Sequence, residues 1–117
     1  MRKIAIVLFA LATGLLAGPR AAAAHAILLE SQPATGATVA AGAIHLFLRY
    51  NSRIDQARSR LELRAPGKMV AILKLSPSGP DTLEAETTLS PGAWTLRWQV
   101  LAVDGHITRG DVPVVVK

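Results

Sequence analysis

Apolar residues are distributed along this chain in two regimes. From Ile4 to Leu16 the sequence is almost wholly apolar, broken only by Thr13 and Gly14, with no polar face at helical spacing. Beyond residue 25 the apolar residues come in short runs that alternate with polar ones. Ile44, Leu46, Leu48 and Tyr50 share one parity, while His45, Phe47 and Arg49 hold the other. A period of two is the signature of a half-buried strand. The same reading predicts strands over Ala26 to Ser31, Ile44 to Tyr50, Arg60 to Arg64, Met69 to Leu75, Thr82 to Thr88, Ala93 to Leu101 and Val112 to Val116. Turn chemistry separates them at Thr35-Gly36, Pro66-Gly67 and Pro77-Ser78-Gly79-Pro80. Asn51 to Ser59 is expected to hold one helical turn or a looped crossing, and Pro113 to sit near an edge or at the start of the last strand. No helical period lasts three turns, so about seven strands without a crossover helix predict an all-β sandwich of two antiparallel sheets, with a small barrel as competitor.

The first regime has the layout of an export signal. Arg2 and Lys3 precede the apolar run, and Ala22-Ala23-Ala24 supplies small residues before a cut. Residues 1–24 are therefore expected to be a cleaved signal peptide, and 25–117 a single exported domain. The apolar run is short for a membrane anchor.

Charge reinforces this division. The chain carries 13 Lys+Arg against 8 Asp+Glu, and Arg2, Lys3 and Arg20 belong to the expected signal, which leaves the mature domain close to neutral. With two tryptophans, one phenylalanine and one tyrosine beyond residue 24, nothing favours a nucleic-acid partner. Basic residues gather between Arg49 and Arg64; that run reads as a solvated face, or as a docking surface for an acidic partner or anionic lipid. The absence of cysteine excludes disulfides, thiolate metal sites and thiol catalysis. No nucleophile elbow, phosphate loop or carboxylate pair nominates an enzyme of the common hydrolase classes.

Three histidines remain as candidate chemistry. Cleavage after Ala24 would give His25 a free α-amine beside its imidazole, two nitrogens able to chelate one ion from a single residue. Such donors suit Cu(II) among first-row divalent ions. Taken alone, a histidine there could equally be incidental. Asp104-Gly105-His106 follows a strongly alternating run, where Gly105 allows a turn that directs Asp104 and His106 to one centre. Taken alone, it could also be a plain turn. His45 reads as a structural residue at a core edge or on the surface, and Asp55, Glu84 and Glu86 read as solvated surface.

Several stretches together carry a family resemblance. The segment His25-Ala26-Ile27-Leu28-Leu29-Glu30-Ser31-Gln32-Pro33-Ala34, the run Leu46 to Tyr50, and the stretch from Pro91-Gly92-Ala93-Trp94-Thr95 through Trp98 to Val103-Asp104-Gly105-His106 resemble the CopC family of periplasmic copper-resistance and copper-homeostasis proteins. The resemblance spans essentially all of residues 25–117. It implies a Greek-key, immunoglobulin-like sandwich and a Cu(II) site built from an N-terminal amine and imidazole, an aspartate and a second histidine. Those roles fall on His25, Asp104 and His106. It further implies one Cu(II) per mature chain, a periplasmic location, and either sequestration of copper or its delivery to an inner-membrane copper transporter of the CopD type; a monomer is expected. Two departures stand out. Members with a Cu(I) site carry a methionine-rich loop, whereas Met69 is alone beyond residue 24. Where many members place an acidic residue after the strand equivalent to Leu46 to Tyr50, this chain has Asn51 and Ser52. Competing readings are a histidine-brace copper oxidase or monooxygenase, which would need an open coordination position and a substrate platform, commonly with exposed aromatics, and a metal-free interaction sandwich. Trp94 and Trp98, on one face of one strand, are expected to pack inward instead.

Overall fold

A computed structural model describes residues 25–117, and the expected signal peptide lies outside them. Among the described residues, nine strands form two sheets. The four-stranded sheet has the order β1-β3-β7-β6, built from β1 (Leu28–Gln32), β3 (Gly42–Tyr50), β7 (Thr82–Leu89) and β6 (Leu75–Ser76). The five-stranded sheet has the order β2-β9-β8-β4-β5, built from β2 (Ala37–Val39), β9 (Ile107–Val116), β8 (Gly92–Ala102), β4 (Ile54–Ala65) and β5 (Lys68–Ile72). All pairings are antiparallel except β2 with β9, which is parallel. The predicted all-β sandwich is the observed architecture.

Alternation decides which side of each strand enters the core. Leu46, Leu48 and Tyr50 of β3, Leu83, Ala85 and Leu89 of β7, and Leu96, Trp98 and Val100 of β8 are buried between the sheets. Full burial of each large aliphatic side chain is worth about 1.5–3 kcal/mol. Trp98 is 7% exposed, packs edge-on against Tyr50 with ring centroids 5.2 Å apart, and lies opposite Gly110 on β9. A Cβ at Gly110 would stand 2.3 Å from Trp98 Cζ2, so the indole occupies space that only glycine leaves. Trp94 faces the same way but is half-buried at the end of the sheet, with its Nε1 donating to the Ser90 carbonyl at 2.7 Å.

Several boundaries differ from expectation. The first strand starts at Leu28 rather than Ala26. The stretch expected as a helical turn or loop is largely strand: β4 begins at Ile54, and an irregular register between Asp55 and Arg60 breaks the alternation. Met69 to Leu75 divides into β5 in one sheet and β6 in the other, with the crossing at Leu73 and Lys74. The last strand begins at Ile107, so Pro113 lies well inside it. Its carbonyl accepts from Gly36 N at 2.7 Å, and its nitrogen faces that same side, just before β2 pairing starts at Val114. No bond to β8 is lost there, so a mid-strand proline is tolerated.

Candidate metal centre

Two chain segments distant in sequence meet at one end of the sandwich. The β8–β9 connection is short: Ala102 N donates to His106 O at 2.8 Å, and Gly105 N donates to Ala102 O at 2.9 Å. Gly105 has φ +90°, a left-handed conformation that side chains rarely adopt, and nothing crowds its Cα. This turn folds Asp104 onto His106. The backbone N–H of His106 donates to Asp104 Oδ1 at 3.0 Å, and His106 Nδ1 lies 2.5 Å from Asp104 Oδ2. Hydrogen bonding from the His106 backbone, reinforced by the nearby imidazoles, holds the Asp104 carboxyl below the usual carboxylate range.

His25 arrives from the other direction. Ahead of β1, Asn51 clasps Ile27 on both sides: the Ile27 N–H donates to Asn51 Oδ1 at 2.8 Å, and Asn51 N donates to Ile27 O at 3.0 Å. Thr108 Oγ1 donates to Ala26 O at 2.9 Å. Ala26 itself is buried. These contacts hold the backbone just after His25, and its ring stacks on His106 with centroids 4.6 Å apart and planes 22° apart.

His25, Asp104 and His106 each offer a ligand atom such that all three atoms lie within 4.8 Å of one another. All three residues are exposed. Two imidazoles and a carboxylate at this separation can converge on one ion, and the carboxylate beside His106 Nδ1 also orients that ring. Among the described residues this is the one grouping of three metal-capable side chains whose ligand atoms converge. Asn51 and Thr108 hold the backbone just after His25; no motif marks either, because each acts through a bond to a distant backbone group.

His45 stands elsewhere, on the outer face of the four-stranded sheet. It is exposed there, between two carboxylates that sequence proximity did not reveal. His45 Nε2 lies 2.7 Å from Glu84 Oε1, and Nδ1 contacts Glu86 Oε2. Register explains the pairing: His45 sits opposite Glu86, one step diagonal from Glu84. Glu84 and Glu86 are on the surface but engaged. They grip opposite ring nitrogens and do not converge on a point. Met69, the remaining soft donor, pairs with Arg64 at the end of the sheet where β8 begins. That places it about 20 Å from the residues after Ala102, on the strand rise of ~3.3 Å per residue.

Comparison with known proteins agrees with this architecture. The chain is similar to Protein YobA of Escherichia coli strain K12, with 28% identity over 99 residues covering 80% of each chain. Its fold is similar to that of CopC from Methylosinus trichosporium OB3b, with a TM-score of 0.71 and 27% identity over 80% of this chain and 94% of that one. It also superposes on PcoC, a methionine-rich copper resistance protein from Escherichia coli, with a TM-score of 0.70 and 24% identity over 80% of this chain and all of that one. Residues 28–117 match the CopC domain, a stretch that includes Asp104 and His106 and starts just after His25; the chain belongs to the CopC domain family.

Proposed function

We propose that this protein is an exported Cu(II) carrier, which binds one ion at His25, Asp104 and His106 and either sequesters it or passes it to an inner-membrane transporter of the CopD type. The observation that carries the reading is the convergence of two imidazoles and a carboxylate within 4.8 Å. Removal of residues 1–24 would add the α-amine of His25 to that set. Nitrogen and oxygen donors without a thiolate or thioether favour Cu(II) over Cu(I). Membership of the CopC domain family, and the copper resistance named for the structural relative PcoC, support copper over other divalent ions.

The setting suits cargo better than catalysis. All three side chains are exposed, so an ion held there is accessible to an incoming acceptor. Trp98 is enclosed in the core and Trp94 leans against it, so neither indole forms the open platform that a polysaccharide-oxidising enzyme would require.

Titration of the chain beginning at His25 tests the proposal. One tight Cu(II) per monomer and much weaker Cu(I) binding are expected. Two tight sites, or a preference for Cu(I), would contradict it.

A further inference from the structure

The outer face of the five-stranded sheet takes no part in the metal site, yet it carries an organised charge pattern. Trp94, Leu96, Trp98 and Val100 of β8 point toward the core, so Thr95, Arg97, Gln99 and Leu101 point outward. The same parity turns Arg109 and Asp111 of β9 outward, and register places them beside Gln99 and Arg97. Arg60, Glu62 and Arg64 of β4 continue the face on the other side of β8.

Four guanidinium groups therefore share this face with two carboxylates. Glu62, 5% exposed, is covered by Arg60 and Arg64, each 2.9 Å away. Arg97 forks onto Asp111 at 2.8 and 3.1 Å. Among the described residues, Arg109 bonds the neutral Gln99 and has no carboxylate partner. The opposite outer face has the reverse balance: Glu30, Glu84 and Glu86 against Arg49 and His45. A domain close to neutral overall is thus polar across its thickness.

Exposed aliphatic side chains flank the arginines. Ile72 on edge strand β5 is 57% exposed and pairs with Glu62, and its neighbours Met69 and Val70 are exposed as well. At the far end, Val103 is 69% exposed and Ile107 lies opposite Leu101, both adjoining the His106 turn. Guanidinium forks match lipid phosphates, and aliphatic groups beside them gain from the acyl boundary. An acidic protein would satisfy the charges but leave that aliphatic border unused.

We propose that the arginine face of the five-stranded sheet docks on an anionic phospholipid surface, with the His25–His106 end of the sandwich beside the bilayer. The proposal uses none of the metal ligands and is independent of the copper reading.

The experiment is sedimentation of residues 25–117, which contain both sheets and the core between them, in chelator with vesicles. One set contains equal phosphatidylglycerol and phosphatidylcholine, the other phosphatidylcholine alone. Binding is expected only to the anionic vesicles and is expected to fall as salt rises. Among the described residues, Arg109 makes no ion pair, so Arg109→Gln is expected to stay folded by circular dichroism. It should bind about fivefold more weakly, the scale of one surface cation. Ile72→Ser should also weaken binding, whereas Glu84→Gln on the opposite face should not. No sedimentation at low salt, equal sedimentation with pure phosphatidylcholine, or an unchanged Arg109→Gln variant overturns the proposal. Capture by polyglutamate without vesicle binding also overturns it and assigns the face to an acidic protein.

Discussion

Thr108 Oγ1 donates to the carbonyl of Ala26 at 2.9 Å across 82 positions of sequence. The bond ties the segment carrying His25 to the strand that follows His106, and so sets how the two imidazoles meet. Thr108→Val keeps the shape and removes the donor, leaving the Ala26 carbonyl without this partner. The expected outcome is a loss of about 1 kcal/mol in apo stability and weaker Cu(II) binding, with Thr108→Ser restoring both. Denaturation and metal competition on the three proteins check it. Equal Cu(II) affinity for all three would remove Thr108 from the positioning of His25.

Unequal roles are expected within the proposed ligand set. His106→Ala deletes a nitrogen donor and the stacking partner of His25, and should lower Cu(II) affinity by at least about tenfold, the scale of losing even an outer-shell partner. Asp104→Asn keeps an oxygen but loses the charge, and should cost less. Both variants should retain the β-sheet circular-dichroism spectrum, since the turn contributes nothing to the core. Unchanged affinity in His106→Ala would reduce Asp104-Gly105-His106 to a plain turn.

Trp98 is the aromatic on which the sandwich depends. Its replacement by Ala should destabilise the apo domain by about 3–5 kcal/mol. Gly110→Ala should cost about 1–3 kcal/mol through overpacking against the same indole. Trp94 is half-buried, so Trp94→Ala should cost less than Trp98→Ala. Chemical denaturation of the series is the measurement, and a reversed order of the two tryptophans would mean that their depths are misassigned.

The pH response of His45 follows from its two carboxylates. Hydrogen bonds to Glu86 first and Glu84 second raise its pKa above the ordinary 6.5. A folded value above the unfolded one contributes stability that is fully present below pH 6.5 and is lost as pH rises through the higher folded value. An NMR titration of the His45 ring should therefore give a midpoint above 6.5, falling more in Glu86→Gln than in Glu84→Gln. A midpoint at or below 6.5 in the parent would contradict the pairing.

The parts of the fold legible in sequence were those whose signal is local. Alternation across Ile44 to Tyr50 and Trp94 to Val100 announces strands with one buried face, and β3 and β8 are found there. Turn residues mark the ends. Local signals fail where pairing is distant or irregular. β2 is three residues long and exists through its parallel partner β9, and the disturbed register between Asp55 and Arg60 hides the first half of β4. Long range also hides the partners of the histidines. Glu84 and Glu86 reach His45 across the β3–β7 pairing, while Asn51 and Thr108 act on backbone groups of the N-terminal segment. Asp104-Gly105-His106 was legible because a tight turn brings its two side chains together within three residues. That His25 should lie against it came from family resemblance, and no spacing rule supplied it.

In the proposed site, a free His25 amine completes the Cu(II) ligand set with the imidazoles of His25 and His106 and the carboxylate of Asp104. Adding one residue before His25 converts that amine to an amide without altering any of the three side chains. Cu(II) titration with EPR on the chain beginning at His25 and on its one-residue extension is the direct measurement, with apo stability as the control. The expected result is a sharp fall in affinity and a changed nitrogen signature in the extended chain, at unchanged apo stability. Equal affinity and identical spectra would contradict the claim, because copper would then be held without the terminal amine.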